Sequence, residues 1–245
     1  MAGAAPVVPA FPGSVRAVPS WQDGPLADDR SPRMTEAVAV RYPTPTLVRT
    51  ADCMAKGLLV VLLLAAVVDP EGSNLRNKAA EARAIGYPLL SFTIPLIWLL
   101  AWKDRASFPW LADLLVTLTC FTDVLGNRMD LYDSIVWFDD LMHFANTGLI
   151  AAAVVLLTLH RSAPRCRVIE RALAVGATAA IAWEVAEYYA FISGHAERAF
   201  AYEDTLSDLS LGVLGSLTAA LVIHHLWRRG QLREAAPQLD DRSLV

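Results

Sequence analysis

Cysteine is scarce in this chain, and charge of either sign is thin. Cys53, Cys120 and Cys166 are the only cysteines in 245 residues, and they form no metal-type spacing. Cys120 lies in an apolar run and Cys166 in a basic loop, so no disulfide framework is expected. Lysine and arginine number 21 against 25 acids, and the net charge of −4 names no nucleic-acid partner. No charged n-region followed by an apolar h-region opens the sequence, so a cleaved signal peptide is not expected. Nucleophile motifs, phosphate loops and cofactor fingerprints are missing as well, as is any usable internal repeat.

Apolar residues fill the place of what is missing. They make up 55% of the chain and occur in long runs, the mark of a polytopic membrane protein. The expected fold is an all-α transmembrane helical bundle of about six spans. Residues 1–48, rich in Pro, Ala, Asp and Arg, read as a disordered tail, 49–229 as the membrane domain, and 230–245 as a second tail. Each span is judged against the ~20 apolar residues that cross the hydrocarbon core. The spans fall at about 50–69, 85–102, 109–127, 139–159, 169–192 and 205–227. The first is the weakest, because it needs Lys56 to snorkel to the interface. Pro95 should kink the second.

Positive charge sets the expected orientation. Six spans place twelve lysines and arginines on one side, including Arg161, Arg165, Arg167 and Arg171, and five on the other. Both termini should then be cytoplasmic, in a multi-pass protein of the cell membrane.

That topology brings acids from separate segments to one level near the outer face. In Trp137-Phe-Asp-Asp-Leu-Met-His143, either Asp139 or Asp140 can share a helical face with His143, at spacings of four and three. Glu184 and Glu187 sit on one face in the C-terminal half of their helix, where the dipole disfavours negative charge, so capping cannot explain them. Asp208 shares a stripe with Gly212 and Gly215, which allow a close helix neighbour and so turn the acid into the bundle. Asp123 ends the third span, and Asp204 begins the sixth. For Asp139 and Asp204 the plain alternative is N-capping. Asp130, Asp133, His195 and Arg198 fall in loops, and His224 and His225 read as interfacial. With His143 the only nearby base within a helix, so many carboxylates cannot all be ionised unless protons, a cation or water compensate them.

Trp-x-Asp-Asp-x-x-His-Phe, then Trp-Glu-x-x-Glu, then Asp-Thr-x-x-Asp-x-x-x-Gly-x-x-Gly resembles the YjdF-type family of uncharacterised bacterial membrane proteins, and more distantly VanZ-like proteins. The likeness covers Gly57 to Trp227 and is strongest from Trp137 to Gly215. It implies Asp140, His143, Glu184, Asp204 and Asp208 as site positions; the lysine that often follows the acid in those relatives is Leu141 here.

Three functions compete. One is a membrane enzyme, a hydrolase or transferase, acting at the outer leaflet on a lipid or lipid-linked envelope precursor. Its catalytic set would be Asp140, His143, Glu184, Glu187, Asp204 and Asp208, with one divalent metal ion on His143, Asp140, Glu184 and Asp208. Carboxylate and imidazole ligands together suit Mn, Fe or Zn. The second is a transporter using the same acids as a proton or cation relay, against which few polar residues cross the midplane. The third is a non-catalytic scaffold. The bilayer is the expected partner in all three, with no nucleic acid.

Overall fold

A computed structural model of the chain describes residues 46–75, 78–103, 106–192 and 201–233. The expected N-terminal tail up to residue 45, the C-terminal tail from residue 234, and the loop with His195 and Arg198 lie outside the described residues.

The described residues are helical throughout, with no strand. In chain order the α-helices are α1 (Thr46–Val68), α2 (Ala80–Ser91), α3 (Thr93–Ile97), α4 (Trp110–Arg128), α5 (Leu131–Ser134), α6 (Phe138–Thr158), α7 (Arg165–Glu187) and α8 (Ala201–Arg228). Two π-helical turns extend them, Trp98–Trp102 after α3 and Tyr188–Ile192 after α7. By length and composition α1, α6 and α8 can each cross a membrane, and the α2–α3 pair, bent by 41°, is a fourth candidate. The 19 residues of α4 and 23 of α7 span about 28 and 35 Å at the helical rise. They have the length but fall short in apolarity: α4 carries Asp113 and Asp123, and α7 carries Arg165, Arg167, Glu170 and Arg171 as well as Glu184 and Glu187.

The breaks follow from the sequence. Pro95 cannot donate to the carbonyl of Ser91, four residues earlier, and α2 gives way to α3 at Phe92 within that turn. Pro109 precedes the first residue of α4 and Pro164 the first of α7, where a missing N–H costs nothing. Helices occupy all six expected stretches, with α1, α7 and α8 beginning four residues and α2 five residues earlier than expected, but only three or four of the six qualify as spans by length and apolarity.

The bundle is large-outside and small-inside. Leu58, Val61, Leu64, Ile85, Leu89, Leu100, Ile181 and Val213 are exposed, while Ala112, Ala151, Ala153, Ala172, Ala220, Ser91, Thr117 and Ser216 are buried. This is the arrangement expected where lipid tails surround the chain and small residues let helices meet. In it α1 packs on α4 and α2, α4 on α6, and α6 on both α7 and α8, which also pack on each other.

The α6–α8 seam is the tightest. A Cβ on Gly215 would lie 1.9 Å from the carbonyl oxygen of Phe144, and one on Gly148 would lie 3.0 Å from the carbonyl of Gly215. Nearby, a Cβ on Gly176 of α7 would collide with the Ser216 hydroxyl at 1.8 Å. Asp208, Gly212 and Gly215 are all buried, as their shared stripe predicts.

Two expectations are overturned here. Lys56 does not snorkel: its ammonium lies 3.0 Å from Asp52 and 2.9 Å from Asp113, with only 13% of the side chain exposed. Polar groups are also not confined to one end of the bundle. Asp113, Thr117, Cys120, Asp123 and Asn127 recur every three or four residues on the buried face of α4.

The seam predicts an asymmetry between glycines. Gly215→Ala must push backbone against backbone and should destabilise the protein by about 1–3 kcal/mol, as overpacking does. Gly57 has open space around its Cβ position, so Gly57→Ala should gain stability from helix propensity, up to about 1 kcal/mol. Thermal unfolding of the two variants in one detergent checks the pair; equal melting temperatures would contradict the packing.

Candidate functional site

Phe138 anchors the start of α6. Its ring lies edge-on to Tyr132 with centroids 4.9 Å apart and fills the space beside Gly126, where a Cβ would come within 2.7 Å of the ring. Trp137 is the residue before the helix, so Asp139 and Asp140 fall inside the first turn, and neither is the N-cap. Asp204 likewise lies in the first turn of α8, three residues after its start, and is exposed. The capping alternative for Asp139 and Asp204 is therefore not what the helices use.

One turn after Asp139, His143 enters the bundle with 9% of its side chain exposed. Nε2 lies 3.6 Å from Asp139 and 3.8 Å from Asp208, and Nδ1 lies 3.5 Å from Glu184. Donor atoms of Asp139, His143 and Asp208 all fall within 4.8 Å of one another, and those of His143, Glu184 and Glu187 form a second such group. Three helices thus surround one imidazole with four carboxylates. Oε1 of Glu184, Oε2 of Glu187 and Oδ1 of Asp208 are buried without a hydrogen-bond partner. The helix bearing the glutamates changes to π-helical winding immediately after Glu187, a distortion frequent at functional sites.

Not every expected residue joins this group. Asp140 is exposed and accepts a hydrogen bond from Ser207 Oγ at 3.2 Å, so of the two acids beside His143 it is Asp139 that meets it. Asp204 belongs to neither group.

Asp123 is also not part of an uncompensated pool. Its Oδ2 accepts from Arg83 Nε at 2.8 Å and from Tyr87 at 2.6 Å, and its Oδ1 from Tyr132 at 3.2 Å. The expectation that His143 is the only base near these acids therefore fails at Arg83, which lies within α2 and is buried. Arg83 and Tyr87 are four residues apart on one face, which was the available signal. Lys78 ion-pairs with Asp133 at the same end, and that hydrogen bond, with one from Asn74, holds the Asp133 carboxyl below its usual range.

Between the two arrangements lies a cavity of about 800 Å³. Lys78, Arg83, Tyr87 and Asp123 line it on the α2–α4 side, and Asp139, His143 and Glu187 on the α6–α7 side. Leu90, Ile150, Ala179 and Trp183 make its apolar walls, with Asn146 and Thr147 between them. Thr122 Oγ1, 3.1 Å from Asn146 Oδ1, joins α4 to α6 beside it.

Residues 52–229 match the family of predicted membrane proteins designated DUF2238. The chain belongs to that family, which is the YjdF-type family its motifs indicate. No curated protein and no solved structure matches it. The likeness to VanZ-like proteins rests on the sequence motifs alone.

The Arg83–Asp123 pair carries a stability prediction. Removing one partner of a buried, hydrogen-bonded ion pair leaves the other charge stranded, typically at a cost of about 3–5 kcal/mol. Arg83→Ala should therefore lower the melting temperature sharply, whereas Asp204→Asn, exposed on α8, should move it little. A similar melting temperature for the two variants would show that Asp123 does not depend on Arg83.

Proposed function

We propose that this membrane protein is a metal-dependent hydrolase or transferase, acting on a lipid or lipid-linked substrate that enters the cavity from the bilayer. The observation that carries the reading is the spacing around His143. Nε2 stands 3.6 Å from Asp139 and 3.8 Å from Asp208, long for hydrogen bonds, yet ligands bound at about 2.1 Å around a tetrahedral ion stand about 3.4 Å apart. Asp208 keeps a buried oxygen, Oδ1, without a hydrogen-bond partner, as a carboxylate left open for a cation would.

The ion is assigned to His143 Nε2 with Asp139 and Asp208. Asp139 keeps 40% of its side chain exposed and lines the cavity, which leaves room for water and substrate. Glu184, on the Nδ1 side, would hold the ring by accepting its N–H, the usual outer partner of a ligating histidine. When bound, a divalent ion supplies Lewis acidity and an activated water. Glu187, on the cavity wall, is placed to take a proton, and Arg83 and Lys78 stand across the cavity for an anionic headgroup. Asp140 and Asp204 flank the entrance in this reading rather than ligating.

Two further features favour a lipidic substrate. The cavity walls include Leu90, Ile150 and Trp183. Among the described residues α2 and α7 both line the cavity but are not packed on each other, which leaves a side facing the bilayer. We place this face at the outer leaflet and both termini in the cytoplasm, on the asymmetry of basic residues. The relay reading has one observation in its favour, the polar stripe along α4.

Metal analysis of the purified protein should find about one divalent ion per chain, and chelation should lower the melting temperature. An ion at a hundredfold excess over its Kd contributes about 2.7 kcal/mol. His143→Ala and Asp208→Asn should abolish that increment. Glu184→Gln should weaken metal affinity about 10–100-fold, as loss of an outer partner does. His225→Ala, exposed at the far end of α8, should keep it whole. Binding should weaken as pH falls and the ligands take up protons. A metal-free protein with a melting point indifferent to chelator would move the assignment to proton relay.

The orientation has its own check. A reporter inserted between His195 and Ala201 should read from outside the cytoplasm and one after Arg233 from inside. Finding both on one side would mean that α8 does not cross.

A further inference from the structure

A second ionic cluster lies between α1 and α4, at the opposite end of α4 from Asp123. Lys56 reaches from α1 toward Asp113, with Nζ 2.9 Å from Oδ2. The same ammonium bonds Asp52 Oδ1 at 3.0 Å and the Thr117 hydroxyl. Thr117 in turn donates to the Asp113 carbonyl at 2.9 Å and lies 3.4 Å from Asp52 Oδ1. Asp52 and Asp113 are each 1% exposed.

The charges in this cluster do not balance. Among the described residues two carboxylates face one ammonium, and apolar groups pack around the cluster. Phe92 places its ring 5.8 Å from Lys56 Nζ, while Ile94, Ala112, Val116 and Ala153 pack together beside α4. The titratable groups facing Asp113 are Lys56 and Asp52 of α1, and α6 meets this end of α4 with Ala153 and Leu157. Neither oxygen of Asp113 has a hydrogen-bond partner: Oδ2 is within ion-pair distance of Lys56 without the alignment of a hydrogen bond, and Oδ1 has none. An uncompensated charge in low dielectric is expensive, and the group then neutralises by taking up a cation. Lys56 directs donors at Asp52 Oδ1 and the Thr117 hydroxyl, and its contact with Asp113 Oδ2 satisfies neither oxygen of that carboxylate by a hydrogen bond.

We infer that Asp52, Lys56 and Asp113 form a proton-binding site that holds one proton on its pair of carboxylates. The proton comes from water and leaves to water, and no other bond changes. Protonated, the cluster is neutral; deprotonated, it carries one buried negative charge. The site is distinct from the His143 group and does not depend on a metal there. Cys120, one turn from Thr117 on the same stripe, lines the cavity, so the proton site abuts the cavity's inner end along α4.

The test is infrared spectroscopy of the full-length protein in lipid nanodiscs, at neutral pH in potassium buffer. Wild type should show a protonated-carboxyl C=O band that shifts in heavy water, and Asp113→Asn should lose it. Asp52→Asn should lose it too, because Asp113 then faces Lys56 as a balanced pair. If Asp113→Asn does not fold, Asp52→Asn decides alone. A wild-type minus Asp113→Asn spectrum holding only ionised-carboxylate bands would overturn the proposal, and so would a wild-type minus Asp52→Asn spectrum that lacks the protonated-carboxyl band. Exchange of potassium for sodium should leave the band in place. Its loss in sodium would make this a sodium site and overturn the proton assignment.

Discussion

The contact of Gly215 with the carbonyl of Phe144 governs the geometry of this bundle. No side chain separates α8 from α6 there, and the two backbones meet. Phe144 is the neighbour of His143, and Asp208 stands two turns before Gly215 on the buried face of α8. The distance between His143 and Asp208 is therefore fixed by a backbone contact rather than by the flexible reach of either side chain. The Ser216 hydroxyl seated against Gly176 fixes α7 in the same way, and with it Glu184 and Glu187. A histidine that meets carboxylates from three helices needs all three at close range, and glycine gives that range without lost van der Waals contact.

Three buried clusters then show three solutions to one electrostatic problem. Asp123 is balanced by Arg83 and hydrogen-bonded through Tyr87 and Tyr132 as well. Asp52 and Asp113 share a single lysine and are one charge out of balance. Around His143 four carboxylates share one imidazole, and three of their oxygens lack partners. Burial costs free energy in each case, but only the first cluster offsets it from within the chain. The other two are left with a charge imbalance that the described residues do not offset.

How much of this was legible depended on the kind of constraint. Spans announce themselves by apolar length, and the prolines at 95, 109 and 164 mark breaks because a missing N–H acts locally. Asp208 with Gly212 and Gly215, and the glutamate pair on α7, were readable because helical periodicity fixes their faces. The choice between Asp139 and Asp140 was not: both spacings are compatible with His143, and the way α6 turns against α4, set by Phe138 in the space beside Gly126, settles it. Lys56 was misread for a related reason. Snorkelling and internal pairing leave the same trace in a sequence, and only the packing of α1 on α4 brings Asp113 to it.

Of the two helices that miss the apolarity expected of a span, α4 carries more buried polar side chains than any other helix, and α7 carries the buried Glu184. They fall short for the reason that makes them informative. A helix packed among others need not be apolar all round, since lipid touches only part of it, while its inner face can hold Asp113, Thr117, Asp123 and Asn127, or Glu184. The helices that pass, α1, α6 and α8, keep their acids in their N-terminal halves and leave a long apolar stretch beyond them. In a bundle of this kind, composition sorts helices by what surrounds them. The weakest hydropathy signal then points to the helices whose polar groups face one another, and here those helices build the cavity wall and the stripe that leads away from it.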